Sequence, residues 1–334
     1  MFNWKIYRGL VCVIILSLAL TGCFEGIDMK DDSVITIAMI PKIIDIPYFD
    51  TCADGATKVA SKYGYELIYT GPTTADAASQ VNIIQEMIYK KVDVIAIAPV
   101  DPEAVKPILM QAREAGIIVV TYDADASKDS RDVFVSQVSA ENLGRHIMDN
   151  VANLIGEEGA FAIITASMTA DNQNTWINWI EQQNEDVYPL IELLTVIPTD
   201  EDQQKAYANT RNLINAYPEL DAILAMSTEA GPAAAKAIEA MGETENVQLY
   251  CLSMPNAMRN YVKNGSADLV TLWDPHRLGS LTMEIIHALI EEQILADGSD
   301  YADFENIQYD EVDKIIIMGE PLDFDFSNID DYDF

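Results

Sequence analysis

The sequence predicts an α/β protein of two doubly wound parallel-sheet lobes joined by a hinge of several chain crossings. Three observations carry this. From Val34 onward, short apolar runs alternate with amphipathic segments, the pattern of parallel strands covered on both faces by helices. Roughly 300 residues follow the leader, too many for one comfortable core. The stretches Val92–Asp123 and Leu220–Ser253 share one layout: an Asp starts an apolar strand, a polar turn opens an Ala-rich helix, and a second strand ends on a polar residue. That repeat sets Asp123 and Ser253 at matching sheet edges.

The first 22 residues read as a leader. Lys5 and Arg8 precede the apolar run Leu10–Leu20, and "LTGC" closes it at Cys23. Eleven helical residues span roughly 16 Å against about 30 Å of hydrocarbon, so the run does not cross a bilayer. It has the basic head and apolar core of a secretory signal. "LTGC" resembles a bacterial lipobox, which implies cleavage before Cys23 and acylation of its sulfur. The expected result is a chain tethered to the outer side of the cytoplasmic membrane, with residues 23–33 as acylated Cys and linker.

The elements then follow in order. "VITIAMI" (Val34–Ile40) is the first strand, and Phe49, Cys52, Ala53, Ala56, Val59, Ala60 and Tyr63 trace one helical face after it. "ELIYTG", "VDVIAIAP" and "IIVVTYD" continue the strands of lobe one, which is expected to span 34–138. Lobe two, 139–269, begins with the helix from Ala140. Its strands are "AFAIIT", "LLTVIP", "LDAILAM", "VQLYCLS" and the start of "LVTLWD". The chain then returns to lobe one through "TLWDPHRLG" and a long helix, roughly 270–300. Residues 300–334 are expected as an acidic segment crossing the hinge, with most of its acids on a solvated face. Three crossings imply a hinge rather than a flexible tether.

Beyond the leader there are 18 basic and 54 acidic residues, a net charge near −36. A nucleic-acid partner is thereby excluded, because phosphate binding needs a basic surface. Cys52 and Cys251 show no CxxC spacing and read as buried thiols. The three His have no ligand spacing, so no metal is expected. Nucleotide-binding glycine motifs, a GxSxG elbow and any Ser, His and acid triple are likewise missing. The chain is therefore not read as an enzyme, and no cofactor is implied.

Polar and aromatic residues instead gather at strand ends, where α/β sheets bind ligands. The first strand leads to Lys42, Tyr48 and Phe49; the fourth to Asp123 and Asp125. "TASMTADNQNTW" brings Asn172, Gln173 and Trp176; later strand ends bring Met226, Thr228, Ser253, Pro255, Asn256, Trp273 and Asp274. Carboxylates and amides pair with vicinal hydroxyls, and aromatic faces pack on the C–H surface of a sugar ring. The set suits a small, neutral, hydroxyl-rich ligand held between the lobes. Phe49 and Trp176 fit core packing as well as stacking, and Asp125 fits a turn cap.

The stretches "IAMIPK", "PYFDTCADGA", "ITASMTADNQNTWINWI", "SMPNAMRNYVKNG", "TLWDPHRLG" and "IDDYDF" resemble type I solute-binding proteins of bacterial ABC importers over residues 34–334. The branch they look most like holds the autoinducer-2-binding proteins of the Lsr type and the rhamnose-binding proteins. The resemblance implies a permease partner, and a ligand that is a monosaccharide or an autoinducer-2-like furanose. It implies a site in which Lys42, Asp123 and Gln173 match the Lsr-type set. Asn172 stands where that set has an acid, and Met226–Ser227–Thr228 where it has Pro-x-Ala. A charge-assisted acceptor thus becomes a neutral amide. "NQNxW" looks closer to the rhamnose type. A protein presenting its ligand to a chemoreceptor or sensor kinase is the alternative that fits the same features.

Overall fold

The computed structural model describes residues 34–334; the leader and Cys23 lie outside the described residues. The chain opens with β1 (Thr36–Ile40), buried along its whole length. Next come α1 (Pro47–Tyr63), β2 (Glu66–Tyr69), α2 (Ala77–Lys90), β3 (Val94–Ile97), α3 (Pro102–Glu114), β4 (Ile118–Tyr122) and β5 (Val133–Val138). Pro47 sets the first turn of α1, and Gly64 ends it with φ 74°. Asp76 and Asp101 start α2 and α3 by accepting hydrogen bonds from first-turn N–H groups. A second series holds α4 (Ala140–Ile155), β6 (Gly159–Thr165), α5 (Asp171–Val187), β7 (Ile191–Pro198), α6 (Gln203–Ala216) and β8 (Ala222–Ala225). It continues with α7 (Ala230–Met241), β9 (Gln248–Leu252), α8 (Pro255–Asn264) and β10 (Leu269–Leu272). The chain closes with α9 (Pro275–Ile290), β11 (Ser299–Tyr301), β12 (Phe304–Asp310), β13 (Ile315–Gly319) and β14 (Leu322–Phe324).

Two sheets result, in orders β11-β12-β13-β5-β4-β3-β1-β2 and β14-β10-β9-β8-β6-β7. From β13 to β2, and from β10 to β7, every neighbouring pair is parallel. β12 and β14 run antiparallel to their neighbours. The two-lobed α/β class read from the alternation of apolar runs is the one observed. Strand order reverses between β1 and β3 in one sheet and between β6 and β8 in the other, the crevices in which open α/β sheets take ligands.

The chain passes between the sheets after β5, after β10 and between β13 and β14. Helix α9 lies along α1 so closely that the backbones touch. A Cβ added at Gly279 would sit 1.8 Å from the Cys52 carbonyl oxygen, and one at Gly55 would sit 2.0 Å from that of His276. Two differences from expectation concern the chain's last third. Leu269–Leu272 pairs with β9 through Leu269–Tyr250 and Val270–Cys251, so the return begins after Leu272 rather than near 270. The acidic C-terminal stretch carries β11 to β14: Tyr301, Phe304, Ile307, Ile316 and Phe324 are buried, while every acid in it except Asp323 is exposed.

Cys52 and Cys251 are buried free thiols. Burial pushes both thiols up, which keeps them protonated and unreactive. No helix of the described residues is long and apolar enough to cross a membrane.

Candidate functional site

The first sheet contributes a strained acid and its partners. β4 ends at Tyr122, and Ala124 N donates to the Tyr122 carbonyl at 2.6 Å. That bond closes a three-residue turn on Asp123, whose φ is 63°. A non-glycine residue persists there only where its surroundings hold it. Here they do. Buried Arg131 grips Asp125, Nε to Oδ1 at 2.5 Å and Nη2 to Oδ2 at 2.7 Å. Thr121 Oγ1 and Ala126 N donate to the same Oδ1. Asp125 therefore anchors the turn, as a capping role requires.

Asp123 itself is nearly enclosed. Tyr48 OH donates to its Oδ1 at 2.7 Å, and Lys42 Nζ lies 3.2 Å from its Oδ2. Trp273 Nε1 in turn donates to Tyr48 OH at 2.8 Å. Burial, then the charge on Asp123, pushes the Tyr48 phenol well above its ordinary value, so it stays a donor. The carboxylate is thus held by one neutral and one charged donor, with Lys42 also free to turn elsewhere.

It turns to the second sheet. Lys42 Nζ donates to Asn172 Oδ1 at 3.3 Å, a bond from the β1 edge to the start of α5. Gln173, the next residue, is committed to structure. Its Oε1 accepts from Thr165 Oγ1 at 2.5 Å and Ala166 N at 2.8 Å, and its Nε2 donates to the Met226 carbonyl at 2.7 Å. A primary amide has two acceptor lone pairs and two N–H groups, so one N–H is left outside these bonds. Gln173 ties the ends of β6 and β8 together across their switch point.

Aromatic rings wall the space between. Trp176 and Trp273 meet edge-to-face at 5.8 Å, Tyr48 and Trp273 at 6.3 Å, and Tyr48 and Phe49 at 5.1 Å. Phe49 and Trp176 are each about 5% exposed. They are core residues that also line the cavity, so packing and a place in the cavity wall are not alternatives for them.

One cavity of about 60 Å³ is lined by Lys42, Phe49, Asp123, Asn172, Gln173, Trp176, Met226, Thr228 and Trp273, with Ile46, Tyr48, Glu201, Ser227, Leu252 and Leu272. Pro255 and Asp274, expected in the site, lie outside it. Trp273 turns inward, and Asp274, one residue on, instead caps α9 by accepting from Arg277 N at 3.1 Å. Pro255 occupies the first turn of α8. Ser253, matched to Asp123 by the repeat, donates to the Thr228 carbonyl at 3.2 Å. Glu201 was not anticipated, because "TDEDQ" reads as an ordinary solvated loop.

Comparison with known proteins places this geometry in context. The model of the periplasmic binding protein domain matches residues 37–294. The ribose import binding protein RbsB of Salmonella typhimurium is 25% identical over 283 residues, covering 84% of this chain and 92% of that protein. The crystal structure of an ABC transporter solute-binding protein from Clostridium phytofermentans with bound L-rhamnose is 30% identical. Its TM-score is 0.84, over 89% of this chain and 98% of that one. LsrB from Clostridium saccharobutylicum in complex with AI-2 also has a TM-score of 0.84, over 90% and 100% of the two chains. At 24% identity that likeness is one of fold.

Proposed function

This chain belongs to the periplasmic binding protein family, and from that premise we propose that it captures a small, neutral, hydroxyl-rich sugar for a bacterial ABC importer. One observation carries the reading: Asp123 and Lys42 on one sheet edge and Asn172 on the other meet in a single cavity walled by Trp176 and Trp273. Hydroxyls of a monosaccharide pair with the carboxylate, the ammonium and the amide, and the indoles cover its apolar face. Ligand bound between the sheets stabilises their approach, and a permease can distinguish that form from the parted one.

The sugar bound by the C. phytofermentans relative and the neutral Asn172 favour a deoxyhexose or pentose. The Lys42–Asp123 pair matches the Lsr-type set and supports an autoinducer-2-like furanose as the second reading. The leader and "LTGC" support tethering through an acylated Cys23, on the extracytoplasmic side of the membrane.

Thermal shift against L-rhamnose, D-ribose, D-arabinose and autoinducer-2 tests this. Saturation at 100 times the dissociation constant stabilises by about 2.7 kcal/mol, so one member of the panel raises the melting temperature by several degrees. A flat response to all four contradicts the reading.

A further inference from the structure

The turn between β7 and α6 carries a carboxylate that the reading above leaves unused. Asp200 and Glu201 both hold left-handed backbone, φ 54° and 57°, a costly arrangement for consecutive non-glycine residues. The turn is pinned on both sides. Thr199 N and Asp200 N donate to the carbonyls of Thr165 and Ala166 at 2.9 and 2.6 Å, and Asp202 N donates to Thr199 O at 3.0 Å. The acids flanking Glu201 are spent on the exterior. Asp202 caps α6, accepting from Gln204 N and Lys205 N, and Asp200 Oδ2 pairs with Lys205 Nζ at 2.7 Å. Glu201, half-buried, is the member of this acidic run that lines the cavity.

We infer that Glu201 is a specificity-determining residue of the ligand site: a carboxylate in the turn after β7 of the second sheet that accepts a ligand hydroxyl, in the cavity that Asp123 and Lys42 line from the first sheet. The inference rests on the sugar-binding reading and sharpens its substrate class. Two carboxylates and one ammonium lining the same cavity make a wall rich in acceptors. Such a wall favours a neutral ligand with hydroxyls on two edges and disfavours a sugar acid or sugar phosphate. The charged and polar groups facing Glu201 are Lys42 from the first sheet, Ser227 and Glu229 from the segment after β8, and Asp123. Burial pushes its carboxyl up from the ordinary range, against the pull of Lys42 and the Ser227 hydrogen bond.

Two variants separate ligand contact from fold. Glu201→Gln keeps shape and removes charge. Glu201→Gly removes the side chain where its backbone suits glycine, so it melts no lower than the parent. Titration calorimetry with the panel sugar that the parent binds should show both variants weaker by about tenfold or more, the loss of one charged hydrogen bond. Parent affinity should fall as the pH drops through the raised range of this carboxyl, and Glu201→Gln should flatten that profile. Equal affinity in either variant overturns the inference and leaves the proposed function standing. Failure of the parent to bind L-rhamnose, D-ribose, D-arabinose or autoinducer-2 overturns both.

Discussion

Asp123 shows how strain and polarity are matched at a single residue. Its left-handed φ costs on the order of 1–3 kcal/mol, and the Arg131–Asp125 grip and the Tyr48 and Lys42 contacts hold it in place. Tyr48 OH joins two partners, accepting from Trp273 Nε1 and donating to Asp123. Tyr48→Phe leaves both buried partners without that bond, so urea unfolding should show a loss of about 1–3 kcal/mol; no change would mean that the hydroxyl is replaceable. At this scale the sequence was only partly legible. Lys42, Asp123, Asn172 and Trp273 stand at strand ends where the α/β rule looks for them, and they line the cavity. Asp274 satisfies the same rule and misses the site, because one residue past Trp273 the chain is already capping a helix. Glu201 also stands just past a strand end and lines the cavity, but it is one of three acids in "TDEDQ", and nothing in that stretch announces the two left-handed residues that set it apart.

Among the elements, the pairing of α1 with α9 links residues more than 200 positions apart through two glycines. Ala normally stabilises a helix interior over Gly by about 1 kcal/mol. At Gly279 the added Cβ would overlap the Cys52 carbonyl, so Gly279→Ala should destabilise by about 1–3 kcal/mol despite its better propensity. A melting temperature at or above the parent's would show that the helices can separate at little cost. The parallel strands β1 to β4 and β6 to β10 were legible because each is a short, largely apolar run, the mark of a strand in a covered sheet. β11 and β12 were not, since exposed acids interrupt their apolar residues and leave no clean alternation. Phe304 and Ile307, for example, are three apart with Glu305 and Asn306 exposed between them.

In the whole molecule the three chain crossings meet one polar cluster. His146 stands in the second turn of α4, the helix that follows the first crossing, Thr271 just before the second crossing and Asp323 just after the third. His146 Nε2 lies 2.9 Å from Asp323, Thr271 Oγ1 bonds the same carboxylate, and Tyr250 OH pairs with Thr271 at 2.7 Å. The Asp323 hydrogen bond raises the His146 pKa from its ordinary 6.5 against the opposing effect of burial. Burial acts against Asp323 too, but the His146 and Thr271 bonds hold its carboxyl below its ordinary value. A raised histidine stabilises fully below 6.5, and that contribution is lost as pH rises through the folded-state value. Melting temperature should therefore fall from pH 6 toward pH 8 by more in the parent than in His146→Ala; identical slopes would remove the cluster from the account. The central claim, a ligand held by both sheets through Asp123, is tested most directly by titration calorimetry of the parent and Asp123→Ala with the panel sugar that the parent binds. The parent should bind and the variant should lose at least about tenfold in affinity. Equal affinities would contradict it.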